Sequence, residues 1–236
     1  MLEAAQNVSG GSSPVSMVRT FLGSSIGQKI VMAVTGVILS LFVLGHMIGN
    51  LQAFLPNGPA ALDHYGRLLR ELLHGAGLWV VRLVMLTSVG LHIWAYLALT
   101  RTSLAARPKG YRVTSYEEST WASRTMRWTG PLLGIFIVYH ILHFTTGNVH
   151  PHFVEGKVYD NLITGLQVTP VALFYLVAMC ALAFHLYHGA WSMLQTLGLS
   201  HPRFDPIRKK LAVAFTVVVA GGFATVPLAV LTGMLK

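Results

Sequence analysis

The chain has 236 residues, 53% of them hydrophobic and only 11% charged, which leaves too little charge to solvate a water-soluble domain of this size. A formal charge of +9 at neutral pH does not point to nucleic acid, because Lys and Arg lie between apolar runs rather than on one basic face. The single cysteine, Cys180, sits inside an apolar run and excludes a disulfide framework, a cysteine-based metal site and cofactor attachment through paired cysteines.

Residues 1–20 are polar and rich in Ser and Gly, and read as a flexible N-terminal tail without a signal peptide. Residues 21–236 read as one all-α integral membrane domain, a bundle of five transmembrane helices. The spans are predicted at about 26–51, 78–100, 129–147, 170–195 and 211–235, each near the 20 or so apolar residues that cross a hydrocarbon core. Between the first two, residues 52–77 carry Pro56, Gly58 and Pro59, then ALDHYGRLLRELLH, whose apolar residues recur at helical spacing opposite charged ones. That pattern predicts a short amphipathic helix lying on the membrane surface. The second connection is basic and carries Glu117 and Glu118, and the fourth ends in RFDPIRKK; both are candidate docking surfaces for a soluble partner.

Five crossings place the termini on opposite sides. The N-terminal flank and the second and fourth connections hold 12 of the 17 Lys and Arg residues: Arg19, Lys29, Arg101, Arg107, Lys109, Arg112, Arg124, Arg127, Arg203, Arg208, Lys209 and Lys210. The positive-inside rule then predicts a cytoplasmic N-terminus and an outside C-terminus, in a cell inner (plasma) membrane.

Six of the 11 histidines fall within the spans: His46, His92, His140, His143, His185 and His188. Polar groups at membrane depth are costly, and a neutral imidazole can ligate haem iron through one ring nitrogen while the other N–H finds a partner. Depth along each helix sorts them into two levels. His46 can face His140 near the outer ends, and His92 can face His185 on the inner side, the levels differing by roughly 15 Å of helical rise. His143 and His188 lie three residues beyond His140 and His185, on nearly the same faces, so spacing does not choose within either couple. Gly45, Gly49, Gly90, Gly130, Gly134 and Gly189 flank these histidines and would let a flat macrocycle, or merely another helix, approach the backbone.

These segments carry a family resemblance. SSIGQKIVMAVTG and GHMIGNLQ in the first span, LHIWAYLAL in the second, RWTGPLLGIFIVYHILHF in the third and AFHLYHGAWSMLQTLG in the fourth resemble the cytochrome b membrane anchors of succinate:quinone oxidoreductases. The similarity is to the five-helix, di-haem class that includes fumarate reductases, and it covers most of residues 22–200. The resemblance implies two b haems, with iron ligands His46 and His140 for the outer and His92 and His185 for the inner. It implies a flavoprotein and an iron-sulfur subunit as partners, a quinone (often menaquinone) as substrate, and no flavin catalysis on this chain itself; higher assembly of the complex stays open.

For the haem propionates the donors near span ends are Arg19, Lys29, Arg82, Arg101 and Arg127, Arg127 foremost, with His143 and His188 as further neighbours of the cofactors. For the quinone, the outer candidates are Asp63, His64, Tyr65, Arg67, Glu71 and His74, and the inner ones Ser24, Ser25 and Lys29. A carboxylate found in some relatives just before the fourth-span ligand is not matched here, where Ala183 and Phe184 stand, so the resemblance does not carry over a proton path of that kind. Rival readings are the di-haem cytochrome of another quinone-linked dehydrogenase or hydrogenase, a histidine-containing transporter, and a scaffold with fewer haems.

Overall fold

Ser, Pro and Gly punctuate this apolar chain, and the helices begin and end where they fall. The computed structural model describes residues 13–106 and 121–236. Within them lie α1 (Pro14–Gly23), α2 (Ser25–Asn50), α3 (Gly58–Glu71), α4 (Ala76–Ala105), α5 (Trp121–Phe144), α6 (Val158–Leu166), α7 (Thr169–Thr196) and α8 (Asp205–Leu231), with 3-10 turns at Leu51–Phe54 and Leu72–Gly75. No strand occurs among the described residues.

The flexible tail expected at residues 1–20 is helical from Pro14 onward. Ser13 accepts a hydrogen bond from the Ser16 N–H (3.3 Å) and Pro14 pre-sets the first helical φ, so the start of α1 is capped. Ser24 then breaks the helix in extended conformation, and its hydroxyl accepts from the Gly27 N–H (3.0 Å) to open α2. Gly27 allows the fold-back, because a Cβ there would lie 2.0 Å from the Phe21 carbonyl oxygen. Residues 1–12 lie outside the described residues, as do Arg107, Lys109, Arg112, Glu117 and Glu118 of the second connection.

Four stretches are long and apolar enough to cross a membrane: Ser25–Phe54, Gly58–Ala105, Thr169–Thr196 and Asp205–Leu231. With 24 residues, α5 matches them in length, but Arg127, His140 and His143 dilute its apolar character. It starts and ends earlier than the 129–147 expected, because Thr146 and Gly147 (φ +75°) close it into a turn. The last helix runs over Asp205–Leu231 instead of 211–235, since Asp205 and Pro206 supply an N-terminal signal six residues before the apolar run. Large apolar side chains such as Leu41, Leu83, Leu86 and Val217 are more than 60% exposed on these helices. Lipid is the solvent that covers them. The chain is a multi-pass membrane protein.

Within the bundle α2 packs on α4, α7 and α8, and α7 packs on α5 and α8. One end is closed by a cap. The amphipathic helix expected after the first span is present as α3, and it packs against α6, a nine-residue helix in the connection between α5 and α7. Ala53, Leu62, Tyr159, Leu162, Ile163, Leu166, Tyr175, Val226 and Val230 form the buried core there. Asp63 of α3 ties the two helices by accepting from the Tyr159 N–H (2.9 Å), and the Tyr159 hydroxyl donates to the carbonyl of Lys236 (3.2 Å).

Candidate functional site

Two imidazole couples face each other across the bundle. His46 of α2 and His140 of α5 have ring centres 5.7 Å apart, and His92 of α4 and His185 of α7 have ring centres 6.1 Å apart. Neither α2 with α5 nor α4 with α7 is among the closely packed helix pairs, so each couple reaches across a gap between helices. The two levels can be measured along α2, which contributes His46 to one and touches His92 through Thr35 at the other. Eleven residues of rise separate those positions by roughly 16 Å.

At the first level, nearest the cap, Phe42 stacks on His46 (5.6 Å, 10° between planes), and Phe223 and Phe136 stand 5.7 Å from His46 and His140. Asn50 Nδ2 donates to His46 Nε2 over a long 3.4 Å, a contact that a ligand on that nitrogen would displace. His140 Nδ1 lies 3.3 Å from the Tyr175 hydroxyl.

At the second level the Thr35 hydroxyl lies 3.0 Å from His92 Nδ1 and also donates to the Val31 carbonyl (2.7 Å). With that proton on the backbone, Thr35 accepts from an Nδ1–H of His92. Nε2 of His92 is left with its lone pair, the form that binds metal. His185 Nδ1 is buried without a hydrogen-bond partner, as are His188 Nδ1 and Trp191 Nε1 on the same helix.

The structure separates the histidines that spacing left equivalent on α5. His143 is fully buried, its Nδ1 lies 2.9 Å from the Tyr175 hydroxyl, and its ring stacks on His150 (4.9 Å) away from His46. His140 is the one that meets His46.

Two imidazoles holding one metal ion from opposite sides, each at a metal–nitrogen distance of about 2 Å, have ring centres roughly 6 Å apart. Both couples have that spacing. Among the described residues no group of three or more His, Cys, Asp or Glu side chains is placed to hold a metal ion. Space for a planar group is present: a Cβ added at Gly45, Gly90, Gly130, Gly134 or Gly189 would meet nothing within 4 Å. Gly49 has another task, since a Cβ there would lie 2.7 Å from the Tyr65 ring of α3. The donor set, its spacing and the open backbone all fit a bis-histidine haem at each level.

Other candidate residues are more scattered. Arg19, Lys29, Arg101 and Arg127 are exposed on the helices, and Arg82 lies over the Trp79 ring (4.9 Å). Arg208, one of the topology charges and part of the RFDPIRKK docking candidate, is 6% exposed and ion-paired with Asp205 at the start of α8. Of the proposed quinone residues, His64, Arg67, Glu71 and His74 are exposed, whereas Asp63 holds α6 and Tyr65 packs beneath Gly49. Ser24 is spent on capping α2, while Ser25 is exposed beside it. Sequence reasoning missed Thr35 and Tyr175, although a hydroxyl inside an apolar span was the available signal.

The succinate dehydrogenase/fumarate reductase transmembrane subunit family matches residues 103–225, just over half of the chain, and the match includes His140 and His185. No curated protein and no solved structure matches the chain. On that match, the chain belongs to the succinate dehydrogenase/fumarate reductase transmembrane subunit family.

Proposed function

We propose that the chain is the cytochrome b subunit of such a complex. It passes electrons between the iron-sulfur subunit and a quinone, of the menaquinone type that the resemblance favours. In this reading α5 is a fifth crossing, the N-terminus is cytoplasmic and the C-terminus outside, and the membrane is the cell's inner membrane. The bias of 12 basic residues against five supports that orientation.

Haem bound at each couple supplies a one-electron carrier; the organic chemistry stays with the flavoprotein partner. His46 with His140, and His92 with His185, would hold the two irons. Thr35 orients His92, while Phe42, Phe136 and Phe223 give the first level apolar walls that keep water off the ring edges. The exposed polar residues of α3, with Asp63 and Tyr65 beneath them, stand at the cap end, next to the His46 level, and are the candidate quinone contacts. Flavoprotein and iron-sulfur subunits would dock at the opposite end, on the basic connections.

The observation that carries the proposal is the pair of facing imidazoles at two heights. Its test is a pyridine haemochrome assay with subunit identification on the purified complex. Two haem b per flavoprotein is the expected result, and a preparation with no absorbing pigment would sink the proposal.

A further inference from the structure

Tyr175 touches two histidines at once, and the two hydrogen bonds cannot run in independent directions. Its hydroxyl lies 3.3 Å from His140 Nδ1 and 2.9 Å from His143 Nδ1, in a side chain only 7% exposed. A phenol has one proton to give, so it can donate to at most one of the two imidazoles and must accept from the other. Beyond it, His143 is clamped on three sides. It stacks on His150 (4.9 Å, 28°), and a Cβ at Gly165 would lie 2.8 Å from both its Cε1 and its Nε2. His150 is in turn fixed, its Nε2–H donating to the Asn161 carbonyl (2.8 Å) and its Nδ1 accepting from the His152 N–H (3.0 Å).

Resting on the haem reading above, we infer that Tyr175 is a positioning residue for the iron ligand His140, and that it sets the redox potential of that haem alone. When Nε2 of His140 binds iron, Nδ1 must carry the proton and donate it to the Tyr175 oxygen. The tyrosine proton is then free for His143 Nδ1, which places the proton of His143 on Nε2, a nitrogen buried without a hydrogen-bond partner. Donation from Nδ1–H makes the imidazole more electron-rich, which favours ferric over ferrous iron and lowers the potential. The acceptor His143 polarises the phenol and strengthens this effect. His92 has Thr35 in the corresponding place, so the two haems are tuned by separate groups. Asn161 and His150 link the chain of contacts to the cap.

The test is Tyr175→Phe in the assembled complex, followed by potentiometric titration of the b-haem absorbance and by EPR of the ferric state. The substitution removes one oxygen and keeps the packed ring. Both haems should remain by pyridine haemochrome, one of the two redox waves should move to higher potential, and the other should stay. His143→Leu, which takes away the acceptor but leaves the phenol, should move the same wave in the same direction by less. Two unmoved waves, or two that move together, would overturn the inference. Should Tyr175→Phe fail to assemble, His143→Leu decides the matter alone, because an unmoved wave in that variant is incompatible with the chain. Absence of haem from the wild-type complex is a different failure, which removes the cytochrome reading itself.

Discussion

Thr35 Oγ1 lies 3.0 Å from His92 Nδ1 across the α2–α4 contact, and with the hydroxyl proton on the Val31 carbonyl it accepts from that nitrogen and leaves Nε2 for a metal. Thr35→Val keeps the shape and removes the acceptor, at a cost of about 1 kcal/mol for the hydrogen bond. Loss of such a partner to a metal-binding imidazole typically weakens the metal by about 10-fold to 100-fold. The variant is expected to lose one haem of two faster than wild type when challenged with excess apomyoglobin. Equal rates for both haems would show that Thr35 does not orient the ligand.

His140 and His143 offer a sharper contrast, since they are three residues apart on one helix and both are imidazoles. His140 faces His46 at 5.7 Å between ring centres, whereas His143 is enclosed by Tyr175, His150 and Gly165. His46→Ala and His140→Ala should each remove the same haem, and His92→Ala and His185→Ala the other, in a pyridine haemochrome assay. His143→Leu should keep both. A His143 variant that lacks one haem while the His140 variant retains two would reverse the assignment.

Much of the helical layout was legible because apolar runs near 20 residues long have few other uses, and α2, α4 and α7 fall within a few residues of their expected bounds apart from the longer C-terminal end of α4. Rise per residue is fixed, so depth alone matched His46 with His140 and His92 with His185, whose ring centres lie 5.7 and 6.1 Å apart. Rotation about the helix is not fixed so tightly, which is why His143 could not be separated from His140 until Tyr175 and Gly165 were seen around it. The short α6 was illegible for another reason. Nine residues are too few to hold a helix by propensity, and this one is held by Asp63, some 96 residues earlier in the chain. Gly49 follows the helix-packing alternative, since it is the ring of Tyr65 on α3 that approaches its backbone.

Gly165 is placed where no side chain fits. A Cβ would stand 2.8 Å from His143 Nε2 and 2.8 Å from His150 Nε2, and both rings are held by other bonds. Gly165→Ala is therefore expected to destabilise the cap by about 1–3 kcal/mol, as overpacking of a filled core does. The measurement is the rate of irreversible thermal unfolding of the purified complex in detergent, followed by loss of haem absorbance. Gly221→Ala on α8, where a Cβ also meets nothing within 4 Å, is the control and should unfold no faster than wild type. Similar behaviour of the two variants would mean that the cap tolerates displacement of His143.

Asp63 can be a quinone contact or a cap for α6, and the two roles predict different responses to the same pair of substitutions. Its Oδ1 accepts from the Tyr159 N–H at 2.9 Å, in the first turn of α6, where Lys157 makes no side-chain cap of its own. An amide oxygen caps a helix about as well as a carboxylate, whereas alanine gives up about 1 kcal/mol. Asp63→Asn should thus retain thermal stability and Asp63→Ala should lose it. Quinone chemistry that needs the negative charge or a proton on the carboxylate would fail in both. If quinone turnover of the Asn variant matches wild type while the Ala variant is merely less stable, Asp63 is a structural link between α3 and α6. A stable Asn variant that fails to turn over quinone puts the carboxylate in the site, with His64, Arg67, Glu71 and His74 as its exposed neighbours.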